Sequence, residues 1–561
     1  MTTADSSRNT EVPAFLRALQ AGQFDRRTLL RGAAALAAFG AGSSLLSACT
    51  GSSTTQPASA GSGSGSIGSV TFGMAAAVQD LNILRAFNIP SPTVLSNALE
   101  GLMGFTNDLK LKPLLATSAS NPEPTVWVYK VRPGVKFHDG STLTAEDVAF
   151  SMNWHMIKAN GSQFTLFYTP VKEIKATGPL EVTVTLHEPD NLWPYTPAHT
   201  AGLVQKKAYL ESAGKNAGTP GHLPVGTGPL KITAFTPSQS IDLVRNENYW
   251  GAKSKVEHMH LQTIADPSTR LLAMQSGTIN GTYDVDFSQV SRWKSLSNAH
   301  LQSGPGLNLF YASFNVTKPP FDDIHVRRAI AHSFDTVGLI KSQLSGQGQV
   351  ATGFVPPLFW APLGVSVSEV EGWYRQNPQY PFDMNAARQE LKQSKHPNGF
   401  TTTVPYPSDY PRMGAALQDL QQNMKPLGVN IVLKEMTEDQ WLTELYGAKN
   451  NFGMNVVVYF PDYPDPADYS GFVATTQIKN GWNLSSYSNP KVDQLMNTQL
   501  TTNDKTTRIN ALRQVQTIIA QDVPVFPVWY EYNISAVDTS FKLPLSPIFY
   551  FLPWAAQITK A

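Results

Sequence analysis

The loop from Tyr459 to Tyr469 holds the densest group of side chains that could do chemistry. Three carboxylates, Asp462, Asp465 and Asp468, recur at every third position among prolines and aromatic rings. They could share a calcium ion, but prolines hinder the wrapping of a calcium loop and no glycine supplies its sharp turn. The plain alternative is a Pro-Asp turn with solvated carboxylates, which we predict for Asp465 and Asp468.

Histidines form a second candidate site. His258 and His260 alternate along a predicted strand and therefore point to the same face. Two imidazoles make a poor metal site, because the only cysteine of the chain is needed elsewhere. His138 lies in a turn and is interpreted as structural. We therefore predict neither a metal nor a cofactor.

Common catalytic signatures are absent from the sequence. It contains no His-Glu-x-x-His, no Gly-x-Ser-x-Gly and no Gly-x4-Gly-Lys phosphate loop. Gly63 to Gly68 matches the dinucleotide fingerprint by letter, but this match lies in a Ser/Gly tract instead of between a strand and a helix. We predict that the protein is not an enzyme. A hydrolase with an aspartate pair stays open, since paired carboxylates meet only in three dimensions.

The elements around the loop indicate an α/β fold. Met454–Val458 is an apolar run of strand length, so the loop follows the carboxyl end of a strand, where open α/β sheets bind ligands. Alternation predicts further strands at Trp127–Arg132 and Leu180–Leu186. A capping box at Thr144–Asp147 begins one helix, and apolar residues at helical spacing predict another over Arg508–Ala520. Strands that alternate with helices are typical of sheets covered by helices.

The run from Trp127 to Ser151 resembles the signature of the family 5 extracellular solute-binding proteins. These proteins are the peptide- and nickel-binding components of ATP-driven importers. Further similar pieces follow in the family's usual order, at Gly226–Pro229, Leu272–Gly277 and Asp522–Tyr530. The resemblance extends over residues 70–555.

The resemblance implies a two-lobed periplasmic-binding-protein-like fold of type II, in the large class with an extra subdomain. The implied bounds are lobe I at 70–307 with a subdomain inserted at about 85–205, lobe II at 308–523, and a return to lobe I at 524–561. Hinges are expected at the chain crossings Phe310–Asn315 and Val523–Trp529. Such a protein closes its lobes around a solute and presents it to the permease subunits of an ABC importer.

The resemblance also suggests a ligand. In peptide-binding members, an aspartate at the place of Asp462 holds the α-amino group of the ligand. A carboxylate forms charge-assisted hydrogen bonds to an ammonium, and these are strongest where water is excluded. Phe460, Tyr463 and Trp482 would then be walls of the cleft, although each suits ordinary core packing equally. A short peptide is the first expected ligand, and an oligosaccharide is the alternative, because aromatic rings also stack on sugars.

The N-terminal stretch indicates export. Arg26 and Arg27 precede the uncharged run Gly32–Leu46, which is too short and too rich in Gly and Ala to span a membrane. The arginine pair resembles a twin-arginine export signal. We therefore expect residues 1–48 to be a signal.

Cys49 ends this stretch, and Leu46–Cys49 resembles a bacterial lipobox, in which the cysteine is lipidated. Residues 49–69 are mostly Ser, Gly and Thr, which is typical of a flexible tether. We expect a monomer held by its lipid anchor on the outer face of the cell membrane. An exported lipoprotein hydrolase is the competing interpretation.

Charge and length limit the remaining possibilities. Lys and Arg number 43 against 42 Asp and Glu, so no large basic face is implied and nucleic acid is excluded as an expected partner. The exported part of about 510 residues is too long for one hydrophobic core. More than one lobe is therefore expected.

Overall fold

A computed structural model of the chain describes residues 65–447, 452–478 and 481–561. Arg26, Arg27 and Cys49 lie outside the described residues, so the export signal and the lipidation remain predictions. Within those described ranges, every helix is too short or too polar to cross a bilayer.

Strands and helices alternate along the chain. The strands, labelled in chain order, are β1 (Ile67–Met74), β2 (Met103–Phe105), β3 (Leu111–Pro113), β4 (Ala116–Glu123), β5 (Val126–Val131), β6 (Val171–Gly178), β7 (Glu181–Leu186), β8 (Leu230–Thr236), β9 (Ser240–Arg245), β10 (Val256–Thr263), β11 (Gly281–Thr282), β12 (Ala299–Phe314), β13 (Gly348–Val350), β14 (Thr401–Pro407), β15 (Asn430–Met436), β16 (Met454–Tyr459), β17 (Val525–Asp538), β18 (Phe541–Lys542) and β19 (Thr559–Lys560). The α-helices are α1 (Pro90–Leu95), α2 (Ala145–Trp154), α3 (Lys207–Ala213), α4 (Pro267–Gln275), α5 (Val290–Lys294), α6 (Ile324–Ala331), α7 (Thr336–Gln343), α8 (Val367–Tyr374), α9 (Met384–Gln393), α10 (Pro411–Met424), α11 (Glu438–Tyr446), α12 (Pro466–Ser470), α13 (Pro490–Thr501) and α14 (Lys505–Asp522).

Two large hydrophobic cores divide the molecule into two lobes. The core of lobe I buries Phe72, Val94 and Tyr129 beneath β1 and its neighbours. The core of lobe II buries Trp360 and Val457, among many others. A chain of this length needs two cores, because a single one stops growing beyond ~250–300 residues.

A nine-stranded sheet runs through both lobes, in the order β16-β12-β17-β11-β1-β10-β9-β8, with β13 paired to β17. The long strands β12 and β17 form an antiparallel ribbon that carries the chain from one lobe to the other. The register of this ribbon shifts between Pro305 and Leu309. Beyond the shift, the rings of Phe310 and Trp529 stack with centroids 4.1 Å apart.

A separate antiparallel sheet, β4-β5-β7-β6, packs on lobe I. Its strands β5 and β7 confirm two of the strands predicted from alternation. Helix α2 covers it and begins with the predicted capping box, in which Asp147 N donates to Thr144 Oγ1 at 3.2 Å and Thr144 N donates to Asp147 Oδ2 at 3.1 Å. We call residues 116–205, which carry this sheet, the small-sheet unit.

The C-terminal segment returns to lobe I. Trp554 Nε1 donates to Thr93 O at 2.8 Å, and Ser96 Oγ donates to Leu552 O at 2.8 Å. The Trp554 ring also packs against Phe72 with centroids 5.0 Å apart. Lobe I is therefore built from both ends of the described chain.

Candidate functional site

A cavity of about 850 Å³ lies between the small-sheet unit and lobe II. One wall comes from side chains between Leu166 and Thr196, and the other comes from side chains between Tyr459 and Leu500. The volume falls within the ~300–1,000 Å³ that is usual for small-ligand sites. Asp462, Tyr463 and Trp482 line this cavity, whereas Phe460 is absent from the lining and packs against the core of lobe II.

The loop after β16 is held in place by buried elements at both of its ends, β16 and α12. Strand β16 is buried along Met454–Val458 and pairs antiparallel with β12, so its carboxyl end opens into the cavity. Asp465 then caps α12 by accepting from Ala467 N at 2.9 Å, and Pro466 follows at the first helical position. Both residues favour this helix start, since the cap satisfies a free N–H and proline has none to lose.

Asp465 is not solvated, so the prediction of an exposed turn is wrong for this residue. Its exposed fraction is 0%, its Oδ1 accepts from Arg508 Nη2 at 2.9 Å, and its Oδ2 accepts from Tyr195 OH at 2.9 Å. A carboxylate can be buried only when such partners replace its water. The ion pair with Arg508 joins the loop to α14, and the hydrogen bond from Tyr195 joins it to the small-sheet unit.

Asp468 is only partly exposed and its carboxylate carries protein hydrogen bonds, so it is not the freely solvated group of the turn prediction. Its Oδ2 accepts from Tyr459 OH at 3.0 Å and from Asp462 N at 3.2 Å. Burial raises the pKa of Asp468 well above its ordinary value, and the neighbouring Asp462 raises it further. The two carboxyl groups therefore oppose each other's ionisation.

Asp462 differs from its neighbours because no described residue donates a hydrogen bond to its carboxylate. Among the described residues, only its backbone N–H forms a hydrogen bond, to Asp468. Burial raises the pKa of Asp462 to about 7. A cationic group placed here would stabilise the ionised form, since opposite charge favours ionisation.

Aromatic side chains supply the apolar part of the cavity. Tyr463 packs against the cores of both lobes, and its ring meets that of Phe167 with centroids 5.1 Å apart. Its OH lies 3.3 Å from Thr196 Oγ1. Trp482 contacts Tyr446, with centroids 5.2 Å apart. Tyr463 and Trp482 thus line the cavity, and their contact with a ligand stays a prediction.

The small-sheet unit contributes lining residues that sequence reasoning missed. Glu188, Asp190 and Trp193 follow strand β7 and face the loop of lobe II. Asp190 Oδ1 accepts from Leu192 N at 2.7 Å, which fixes the turn that presents these residues. A cluster of acidic and aromatic residues after a predicted strand was the available signal.

Hydrogen bonds close one rim of the cavity. Asn191 Nδ2 donates to Gln499 O at 2.7 Å and to Thr502 O at 2.8 Å, and Asn191 N donates to Leu500 O at 2.9 Å. Together with the bond from Tyr195 to Asp465, these contacts hold the small-sheet unit against lobe II.

Two of the three histidines singled out in the sequence, His138 and His260, are engaged elsewhere, and His258 is exposed. His260 Nδ1 lies 2.7 Å from Asp242 Oδ1 on the neighbouring strand, and His138 Nε2 lies 3.1 Å from Gly228 O. Burial lowers the pKa of His138 to about 4, as expected for a structural imidazole. In the part of the chain that the structure describes, no group of three or more His, Cys, Asp or Glu could hold a metal.

Comparison with protein families gives one match that spans most of the chain. The family model described as bacterial extracellular solute-binding proteins, family 5 Middle, matches residues 110–481. A curated relative is the glutathione-binding protein GsiB of Escherichia coli K12. It is 27% identical over 454 residues, which are 80% of this chain and 86% of that protein.

Solved structures share the fold. The dipeptide-binding protein of Pseudoalteromonas sp. SM9913, in complex with Met-Leu, is similar with a TM-score of 0.72 and 20% identity, over 88% of this chain and 100% of that one. The substrate-binding protein CtaP of Listeria monocytogenes gives a TM-score of 0.76 and 21% identity, over 88% and 99%. DppA of Helicobacter pylori, in complex with the peptide STSA, gives 0.73 and 23%, over 88% and 98%. These likenesses confirm the predicted two-lobed α/β fold.

Proposed function

This chain belongs to the family 5 bacterial extracellular solute-binding proteins, and from that premise we propose that it captures a short peptide and delivers it to the permease of an ABC importer. Solute binding outside the cytoplasm for such an importer is the role of this family. The relatives are binding proteins rather than enzymes, and we propose the same for this chain. The peptide, the residues that hold it and the lipid anchor belong to the proposal.

The state of the Asp462 carboxylate is the observation that supports a peptide as the ligand. It lines the cavity, its pKa is raised by burial, and among the described residues nothing donates a hydrogen bond to it. The α-ammonium of a peptide would supply the missing donors and charge. Tyr463 and Trp482 would cover the apolar part of the first residues. The names of relatives that bind glutathione or dipeptides agree with this ligand class.

Closure of the two lobes around the ligand is the proposed capture step. The proposed bounds are lobe I at 70–307 with its insert at about 85–205, lobe II at 308–523 and a return at 524–561. The ribbon of β12 and β17 supports hinges near Phe310–Asn315 and Val523–Trp529, because it is the covalent crossing between the cores. A ligand can favour closure only through contacts that the closed form makes better than the open one.

Isothermal titration calorimetry on the purified protein tests the role of Asp462. Asp462→Asn should weaken the binding of a short peptide about 10- to 100-fold, since a hydrogen bond to a charged group contributes about 1.5–3 kcal/mol. N-acetylation of the peptide should cause a similar loss in the wild type. Asp108→Asn, at a carboxylate with 61% of its side chain exposed, is the matched control and should change nothing. Equal binding of the acetylated peptide would remove Asp462 from this role.

An oligosaccharide remains the second candidate ligand because aromatic rings line the cavity. Sugars carry no positive charge, so they would leave the carboxylate of Asp462 without a counter-charge. Hydrolysis is a different class of function, for which Asp462 and Asp468 would be the carboxylate pair. We expect peptides and oligosaccharides to be recovered intact after long incubation with the protein, which mass spectrometry would check.

A further inference from the structure

The charged residues in the described lining of the cavity share one sign. The described lining contains four carboxylates, those of Glu188, Asp190, Asp462 and Asp468, and no lysine or arginine. Two come from the loop of lobe II and two come from the small-sheet unit, so acidic groups face each other across the cavity. Arg508 stands behind this wall, where Asp465 and the Gln499 carbonyl engage its guanidinium.

Two of the three loop carboxylates, those of Asp462 and Asp468, have acceptor atoms that no described residue engages. Asp462 accepts no hydrogen bond from the described residues, and Asp468 accepts both of its bonds on Oδ2, which leaves Oδ1 without a donor. Burial raises the pKa of both groups, because it disfavours their ionised forms where no described cation contacts them. One ammonium therefore satisfies only part of this site.

The opposite wall, which the small-sheet unit forms, also carries carboxylates. Asp190 accepts from Leu192 N on Oδ1 at 2.7 Å and is partly exposed, and Glu188 beside it is exposed. Phe167 and Trp193 flank these carboxylates in the lining. Aromatic faces attract ammonium and guanidinium groups within about 6 Å of the ring centre. Carboxylates that lie beside aromatic rings can bind a ligand group in which a cation ends a long apolar chain.

We propose that the cavity selects peptides whose first residue is lysine or arginine, with the α-ammonium at Asp462 and the basic side chain reaching toward Asp190 and Glu188. This inference rests on the proposed function and deepens it by naming the class of ligand. A free carboxylate at the other end of the peptide has no cationic partner in the described lining, so C-terminal amidation should not weaken binding.

Calorimetry with the full purified protein and four matched tripeptides tests this selection. The probes are Lys-Ala-Ala, Ala-Ala-Ala, Glu-Ala-Ala and the amide of Lys-Ala-Ala. Lys-Ala-Ala and its amide should bind about tenfold or more tightly than Ala-Ala-Ala, the factor that one charge-assisted hydrogen bond supplies. Glu-Ala-Ala should bind more weakly still, because like charges would meet. The preference should shrink as salt rises, since the charges are partly exposed.

Variants locate the preference within the cavity. The double change of Glu188→Gln with Asp190→Asn should reduce the ratio of the affinities for Lys-Ala-Ala and Ala-Ala-Ala to below about threefold. Asp108→Asn should keep the wild-type ratio.

Each outcome separates this inference from the function on which it rests. Equal affinity for Lys-Ala-Ala and Ala-Ala-Ala, with Asp462→Asn weak for both, overturns the basic selection and leaves peptide capture intact. Tighter binding of Glu-Ala-Ala, or a loss on amidation, also overturns the selection. Failure of every tripeptide to bind would overturn both.

Discussion

Asp462 is only partly exposed and its carboxylate accepts no hydrogen bond from the described residues, so its titration should control binding. An ammonium pairs with the ionised carboxylate, whereas the neutral carboxyl that forms below about pH 7 offers no charge. The affinity for a peptide should therefore fall as the pH is lowered through about 7. Titrations between pH 5.5 and 8.5 (about the range that brackets this pKa) would measure it. In Asp462→Asn the affinity should be low, and its fall below about pH 7 should be smaller than in the wild type.

The raised pKa of Asp462 also makes the stability of the ligand-free protein depend on pH. A folded-state pKa above the unfolded value of about 4 means that the folded protein binds this proton more tightly. The contribution to the free energy of unfolding is therefore present at low pH and is lost as the pH rises through about 7. Asp468, Tyr459 and Tyr463 face the same group, and the raised pKa of Asp468 acts in the same direction.

Asp465 is expected to contribute mainly to stability. Asp465→Asn would leave the buried guanidinium of Arg508 without its counter-charge, which typically costs about 3–5 kcal/mol. Tyr195→Phe removes one hydrogen bond from the same carboxylate and should cost about 1–2 kcal/mol. Urea unfolding followed by circular dichroism would measure both.

An exposed pair provides the comparison for these changes. Glu444→Gln breaks the ion pair with Lys434, in which 42% and 45% of the side chains are exposed. Its effect should stay below about 1 kcal/mol, because exposed pairs are screened by water. A cost for Asp465→Asn as small as this would show that the buried pair does not hold the loop.

At the level of elements, the ribbon of β12 and β17 makes the boundary between the lobes. A Cβ at Gly306 would lie 2.5 Å from the backbone oxygen of Glu531, so any side chain there would force the two strands apart. Gly306→Ala should lower the free energy of unfolding by about 1–3 kcal/mol, the usual cost of overpacking. It should also weaken peptide binding, since the crossing sets how the lobes meet.

Gly221→Ala is the matched control for this change, because nothing lies within 4 Å of an added Cβ there. Thermal unfolding with and without peptide would measure both variants. An unchanged melting temperature in Gly306→Ala would mean that the ribbon adjusts without cost.

Sequence reasoning was most successful for elements with a regular pattern. Alternation placed β5 and β7, an apolar run placed β16, and helical spacing placed most of α14. These patterns are local, because each reflects the faces of one strand or helix. The family signature around α2 then implied the two-lobed fold, which the solved structures confirm.

The partners of the loop could not be read in the same way. Asp465 was expected in water, yet it meets Arg508 and Tyr195, which stand far away along the chain. Asp190 and Trp193 reach the cavity only because the small-sheet unit packs against lobe II. Such contacts depend on how whole elements meet, and no periodicity within one segment records them. The role of Asp462 itself remains a prediction.

At the scale of the whole molecule, the tether predicted for residues 49–69 would keep the binding lobes near the membrane, although its last three residues belong to β1 in the structure. Cys49→Ser should release the protein into the medium without changing its affinity for peptide, since the described lobes begin later in the chain. Fractionation of cells that express each form would measure the release. The matched change Ser47→Ala, two positions earlier, should leave the protein attached. Retention of Cys49→Ser at the membrane would contradict lipidation at this residue.

The return of the C-terminal segment to α1 affects how lobe I folds during synthesis on the ribosome. Asn97 receives the backbone N–H of Ala555, a partner that is synthesised 458 residues later. At ~5–20 residues per second, lobe I waits roughly 20–90 s for the residues that complete its core. During this interval the nascent first lobe keeps an apolar face open while all of lobe II emerges. The last residues to be made thus finish the lobe that was begun first.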